Sequence, residues 1–400
     1  MEPNQKAQSK MQQLSDLRVK NQNYEKLMQD LDQKIRIQQV GHEQTALSIE
    51  MVSRRNMSWV NTVGGQAPLN PESESKPKKK GKKDVSEDPM KSVPISVNSV
   101  AFNQNEQREN QFITVDDSAQ MRLWDAKRGV MIAEEPRFSN GLLATCAIEP
   151  SEGRIVACGG IDGKVHLFQV NKETRKNDHT IKMIQKQAEF NGHQSQITCS
   201  GFLSNNYLIT GSDDSDLMLW DFEKAGRYLV KYSDHTLEVQ SLDVFNRDGN
   251  IIASGANDAA VRIWDIRMKQ PCLRVFDKNQ CGISAVRFMP DNVNTLAIGK
   301  DDSSINLIDL RTLGRLGKYK EKNIIVGISS LQFSKSGRLL FSCSSASNRI
   351  VIWDILAQDK AGEMGPELFQ DGVKSISLSR DGTTLVSGGK GGTVALWTQQ

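Results

Sequence analysis

Three features of the sequence predict an all-β fold, a seven-bladed β-propeller preceded by an N-terminal coiled-coil α-helix. The first is a short closing strand that recurs down the chain. It reads MRLWD at Trp124, VHLFQ at Phe168, LMLWD at Trp220, VRIWD at Trp264, INLID at Ile308, IVIWD at Trp353 and VALWT at Trp397. The intervals between these anchors are 44, 52, 44, 44, 45 and 44 residues. The second is the local pattern around each anchor, clearest in IIASGANDAAVRIWD from Ile251 to Asp265. Apolar, β-branched residues alternate at both ends and flank a sharp reversal through Gly255 and Asp258, as two antiparallel strands require. The third is a stretch from Gln5 to Val40 without Gly or Pro, rich in Gln, Lys, Leu and Met, which suits a long helix.

A period of about 40–45 residues closing on Trp-Asp is the signature of WD40 repeats, each one four-stranded blade. Seven anchors predict seven blades and assign residues 94–400 to the ring. Blade one runs from Ile95 to Asp125, and the one irregular interval, between Phe168 and Trp220, places extra residues near Asn171–Gln185.

Ahead of the ring, residues 1–50 are predicted as the helix. Leu14, Asn21, Met28 and Ile35 fall on one heptad position, and Leu17, Tyr24, Leu31 and Gln38 on the other. Six of these eight are apolar, which makes a coiled-coil seam of Leu14, Leu17, Tyr24, Met28, Leu31 and Ile35, with Asn21 able to fix register. The alternative is a helix folded back onto the propeller. Residues 51–63, MVSRRNMSWVNTV, read as a strand that closes the last blade by joining the two ends of the chain. Residues 64–93 carry four prolines and the run KPKKKGKK at Lys76–Lys83, and their composition predicts a disordered insertion. That run could direct nuclear import or meet an anionic surface, or be a solvated loop.

Composition excludes several classes of function. The 400 residues have a formal net charge of +3, and residues 1–93 alone hold 16 Lys/Arg against 12 Asp/Glu. The ring is therefore close to neutral, and direct nucleic-acid binding is not expected. No apolar run reaches membrane-spanning length and the N-terminus lacks a signal-peptide core, so a soluble intracellular protein is expected. The six cysteines include no CxxC pair, which points to reduced thiols rather than zinc or disulfides. No Ser/His/Asp constellation, metal-spaced cluster or GxxxxGK[ST] loop is present, so neither catalysis nor a cofactor is expected.

Six positions before the anchor stand Asp162, Asp214, Asp258 and Asp302 in blades two to five. Paired with a histidine from the preceding loop, two of these complete structural sets: His193, Asp214 and Trp220, and His235, Asp258 and Trp264. Blades six and seven have Ser347 and Gly391 there; blade one has Ser118, with Asp117 one residue early.

The stretches SRRNMSWV (Ser53–Val60), TCAIEPSEGRIVACGGID (Thr145–Asp162), SGANDAAVRIWDIR (Ser254–Arg267), GISSLQFSKSGRLLFS (Gly327–Ser342) and DILAQDKAG (Asp354–Gly362) resemble the β subunits of heterotrimeric G proteins. The likeness runs from about residue 51 to Trp397, broken by the 64–93 insertion, and more weakly over the helix. It implies a non-catalytic signalling subunit whose helix pairs with a small γ-like subunit, lipidated and held at the inner face of the plasma membrane. It further implies that the propeller rim binds a GDP-loaded α subunit and, once released, effectors. The matching rim positions are Asn98, Leu142, Ala144, Ile161, Gln196, Glu238, Gln240, Asn257, Ser284, Asp301 and Lys390. Ile161, Glu238 and Asp301 are close to the family's usual side chains. The family's rim centre is rich in aromatic and Met residues, whereas Asn98, Leu142, Ala144, Gln196, Gln240 and Lys390 stand there in this chain. The alternative is a WD40 scaffold for other complexes, without an α-subunit partner.

Overall fold

The computed structural model describes residues 59–62 and 95–398, except 172–182, 204–205, 224–227, 246–248, 269–271, 277–280, 291, 322–325 and 366–371. The predicted helix 1–50 and the insertion 64–93 lie outside the described residues. What is described is seven four-stranded antiparallel sheets. Their innermost strands are Val97–Phe102, Leu143–Ile148, Ile197–Phe202, Val239–Val244, Ile283–Met289, Ile328–Phe333 and Val373–Leu378. Each touches the next, and the last touches the first, so the sheets form a closed ring around a channel of about 460 Å³.

Blade one consists of Val97–Phe102, Gln111–Asp116, Met121–Asp125 and Val130–Glu135, so it extends past Asp125 to a fourth, outer strand. The first six blades follow the chain in order. The seventh does not: its outer strand is Trp59–Thr62, paired antiparallel to Val394–Thr398 with Trp59 opposite Trp397. The ring is thus latched by hydrogen bonds between segments over 300 residues apart in sequence. The extra residues of blade two fall between its third strand, Lys164–Val170, and its fourth, Ile184–Asn191.

Alternation in the sequence becomes burial between blades. On the second strands the burial pattern is nearly continuous, as in Ile155–Gly160 and Ile251–Ala256, because both faces of each blade are covered by neighbouring blades. The close approach is made possible by a glycine on the second strand. A Cβ on Gly388 would sit 2.6 Å from Val97 Cγ1, where the seventh blade meets the first, and Gly255 receives Ile283 of the following blade in the same way.

The inner strands are also stitched to each other by side chains. The hydroxyls of Ser99, Ser241, Ser330 and Ser375 each accept from a backbone N–H of the following blade, at Cys146, Val286, Ile376 and Val100. Deeper in the channel, Arg287 Nη1 donates to Asp243 Oδ1 at 2.8 Å while its Nε donates to Gln332 Oε1 at 3.1 Å, linking blades four, five and six.

Candidate partner-binding rim

The structure brings the two predicted structural sets together, through a residue the sequence reading passed over. His193 does not touch the Trp220 nitrogen. Its Nδ1 lies 3.0 Å from Asp214 Oδ2 and its Nε2 lies 2.8 Å from the Thr210 hydroxyl, which accepts from Trp220 Nε1 at 2.9 Å. The second set repeats this through Ser254, with Trp264 Nε1 and His235 Nε2 each 2.8 Å from its hydroxyl and His235 Nδ1 3.0 Å from Asp258. Burial alone would raise the Asp214 carboxyl. The hydrogen bonds from His193 and from the Gln194 and Asp216 amides outweigh it and hold the group at about 2. Burial is the largest influence on His235 as well, and pushes the imidazole below its usual value in spite of Asp258.

Asp162 and Asp302 use the turn position differently. Asp162 pairs with His166 from its own blade at 2.8 Å and accepts from Ser139 at 2.8 Å. Asp302 accepts from the Ser304 hydroxyl and amide. In blade one the carboxylate that holds the turn is Asp116, not Asp117. Asp116 is buried and accepts from Ser118, Gln120 and Arg122, the last at 2.7 Å. Strand register explains the difference: Asp116 ends the second strand and faces the interior, so Asp117 turns outward.

Facing outward, Asp117 belongs to the rim. The rim residues form two sets, fixed by the same hydrogen bond repeated from blade to blade. In six of the seven blades the residue after the second strand donates its N–H to the carbonyl before the inner strand. This pairs Asp117 with Ser96, Ile161 with Leu142, Asp213 with Gln196, Asn257 with Glu238, Asp301 with Gly282 and Lys390 with Gly372. Most of the predicted rim residues therefore lie on one face, carried by rigid strand ends. The second residue of each inner strand forms a tighter circle at the channel mouth, with Asn98, Ala144, Gln240, Ser284 and Lys374 among its members. These side chains too are tied down: Asn98 Nδ2 donates to Leu143 O at 2.7 Å, and the Ser284 hydroxyl to Gly299 O at 3.4 Å.

Chemically the rim is divided. Blade two presents Leu142 and Ile161, the latter 53% exposed. Blades three to five present Asp213, Glu238 and Asp301, with Asn257 Nδ2 donating to Glu238 Oε2 at 3.3 Å. Burial, then Glu238 and Asp214, raise the Asp213 carboxyl, as expected where acids crowd together. Blade seven presents Lys374 and Lys390. Asp213 and Lys374 were not singled out by the sequence reading, and Asp117 was named there only beside the turn position, yet each occupies a blade position where another residue had been assigned to the rim. Superposing the repeats would have found them.

Among the described residues the rim-side histidines and the buried cysteines are held in ways that do not favour nucleophilic attack. The two histidines nearest the rim are engaged on both ring nitrogens. Burial pushes the Cys146, Cys199 and Cys343 thiols up to about 12, where they are poor nucleophiles. Among the described residues no group of His, Cys, Asp and Glu is arranged to hold a metal ion.

Comparison with known proteins agrees with the architecture. The family described as WD domain, G-beta repeat matches residues 184–221, 226–265, 322–354 and 367–398. A guanine nucleotide-binding protein subunit beta of Lymnaea stagnalis is 42% identical over 291 residues, covering 71% of this chain and 79% of that protein. The guanine nucleotide-binding protein G(I)/G(S)/G(T) subunit beta-1 of Homarus americanus is 39% identical over the same length and shares. With this identity spread over most of a seven-bladed ring, the chain belongs to the G-protein β-subunit family of WD40-repeat proteins, as a divergent member.

Proposed function

We propose that this chain is a signalling subunit of a heterotrimeric G protein, acting by binding and not by catalysis. Its rim engages a GDP-loaded α subunit, and the same surface is handed to effectors once that subunit leaves. The observation that carries this reading is the repeated rim hydrogen bond, which sets Ile161, Asn257, Asp301 and Lys390 on one face as a single rigid surface. A surface held in its bound geometry loses little entropy on association. Leu14, Leu17, Tyr24, Met28, Leu31 and Ile35 form the seam for a small γ-like helix, whose lipid holds the pair at the cytoplasmic face of the plasma membrane.

The test is affinity capture of the tagged full-length chain from its own cells, washed with GDP or with GDP and aluminium fluoride. A small helical subunit retained in both washes, with a GTPase lost only under aluminium fluoride, is expected. Recovery of neither would refute the reading and leave a WD40 scaffold with another partner.

A further inference from the structure

The two charged parts of the rim lie across the channel mouth from each other. Lys374 and Lys390 stand on blade seven, next to blade one, and the carboxylates of Asp213, Glu238 and Asp301 stand on blades three to five. The acidic side is internally crowded, while the basic side is internally unpaired. Lys374 Nζ is 2.5 Å from Asn98 Oδ1, and the Asn98 amide in turn donates to Asp117 Oδ1 at 2.7 Å. Among the described residues neither lysine forms an ion pair, whereas Lys164, Lys186, Lys231 and Lys360 each do. Burial pushes the Lys374 amine below its usual value; Asp117 opposes that and the Lys390 ammonium adds to it. Two ammonium groups thus share a half-buried site with one carboxylate, reached through an amide.

We propose that Lys374 and Lys390 form a docking pole for a carboxylate side chain of a protein partner, whose basic residues lie at the same time over Asp213, Glu238 and Asp301. The inference rests on the rim being the partner surface and adds the charge pattern that the partner must carry. A polyanion does not fit. Nucleic acid or an anionic bilayer laid across this face would meet three carboxylates on the far side of the channel, and like charges brought into contact are disfavoured. A small anion would meet only the lysine side. A polypeptide with separated acidic and basic groups satisfies both.

The probe is a synthetic peptide with an oligoglutamate block at one end and an oligolysine block at the other, joined by a Gly-Ser linker long enough to cross the rim. Its binding to the purified full-length chain is read by fluorescence anisotropy, in a background with Lys76–Lys83 changed to serine so that this run does not compete. The expected result is salt-sensitive binding that weakens about tenfold in Lys390→Glu and further in Lys374→Glu/Lys390→Glu, is kept in Lys390→Arg, and falls in Asp213→Asn/Asp301→Asn. Absence of binding to the parent chain, binding indifferent to Lys390→Glu, or tighter binding of a purely acidic peptide would each overturn the proposal. Lys390→Glu lies at the rim, so its folding does not decide the outcome. Because the probe is synthetic, the result is independent of whether a GTPase is recovered by capture from cells.

Discussion

Trp220 Nε1 donates to the Thr210 hydroxyl at 2.9 Å, and the same pairing recurs wherever a tryptophan anchors a blade. Trp124 pairs with Thr114, Trp264 with Ser254, Trp353 with Ser342 and Trp397 with Ser387, all at 2.8–2.9 Å. In the two blades where the anchor is Phe168 or Ile308, the position ten residues earlier holds Cys158 or Ile298 in place of the hydroxyl, and the anchor carries no indole N–H to satisfy. The indole N–H and the hydroxyl are kept or lost together, because a buried donor without an acceptor costs more than an apolar pair. Thr210→Val keeps the shape but strands both the Trp220 N–H and the His193 ring. It should lower stability by about 2 kcal/mol in urea unfolding. Ile298→Val, which strands nothing, should cost only about 1 kcal/mol.

The turn carboxylates set an acid limit. Asp214 titrates at about 2 in the folded chain, below its ordinary 3.8. An acid with a lowered folded value is protonated more readily when unfolded, so its stabilisation is complete above about pH 4 and is lost as pH falls toward 2. His235, also shifted down, gains its proton mainly on unfolding, so it erodes stability already from about pH 6.5 downward. The urea midpoint should therefore fall from neutral pH to about pH 5, and more steeply below about pH 4. Asp214→Asn should flatten the lower part of the curve.

In blade one the two neighbouring aspartates should behave as different kinds of residue. Asp116→Ala removes the buried charge partner of Arg122, which keeps only Gln120 and the exposed Glu134, and removes three further hydrogen bonds, so a loss of about 3 kcal/mol is expected by thermal unfolding. Asp117→Ala should leave the unfolding midpoint within about 0.5 kcal/mol of wild type, since it is an exposed rim residue.

Asp243 and Arg287 offer a comparison inside the channel. Burial raises the Asp243 carboxyl, and Arg287 is the chief influence that opposes it. Arg287→Leu should cost about 3 kcal/mol by leaving that acid without its charge partner. Asp243→Leu/Arg287→Leu should recover much of the loss, measured as coupling in a double-mutant cycle.

The latch predicts a local effect. Deleting residues 1–62 removes the outer strand of blade seven and turns Val394–Thr398 into an edge. Hydrogen exchange should speed up first across Val394–Thr398, and the unfolding temperature should drop, with the blade farthest around the ring affected last.

Much of the ring was legible because a propeller repeats one local pattern. The Trp124-to-Trp397 spacing, the Asp at the turn and the alternation of Val, Ile and Leu are all set within about forty residues, where sequence periodicity reports structure directly. The rim was legible in position but not in composition. Asn98, Ile161 and Lys390 could be placed by likeness to relatives, while Asp213, Lys374 and the rim position of Asp117 escaped because that comparison ran outward from a family's known positions and not from the repeats of this chain.

The sequence by itself determined the number of blades, the place of the longer connection in blade two and the pairing of His193 with Asp214. Only the tertiary structure decided that Thr210 stands between His193 and Trp220, that Asp116 and not Asp117 holds the blade-one turn, and that the rim separates into acidic and basic sides. The physical reason is closure. A one-residue difference in register reverses which face a side chain meets, and residues from seven blades share a surface only once Val97 has packed on Gly388 and the ring is shut.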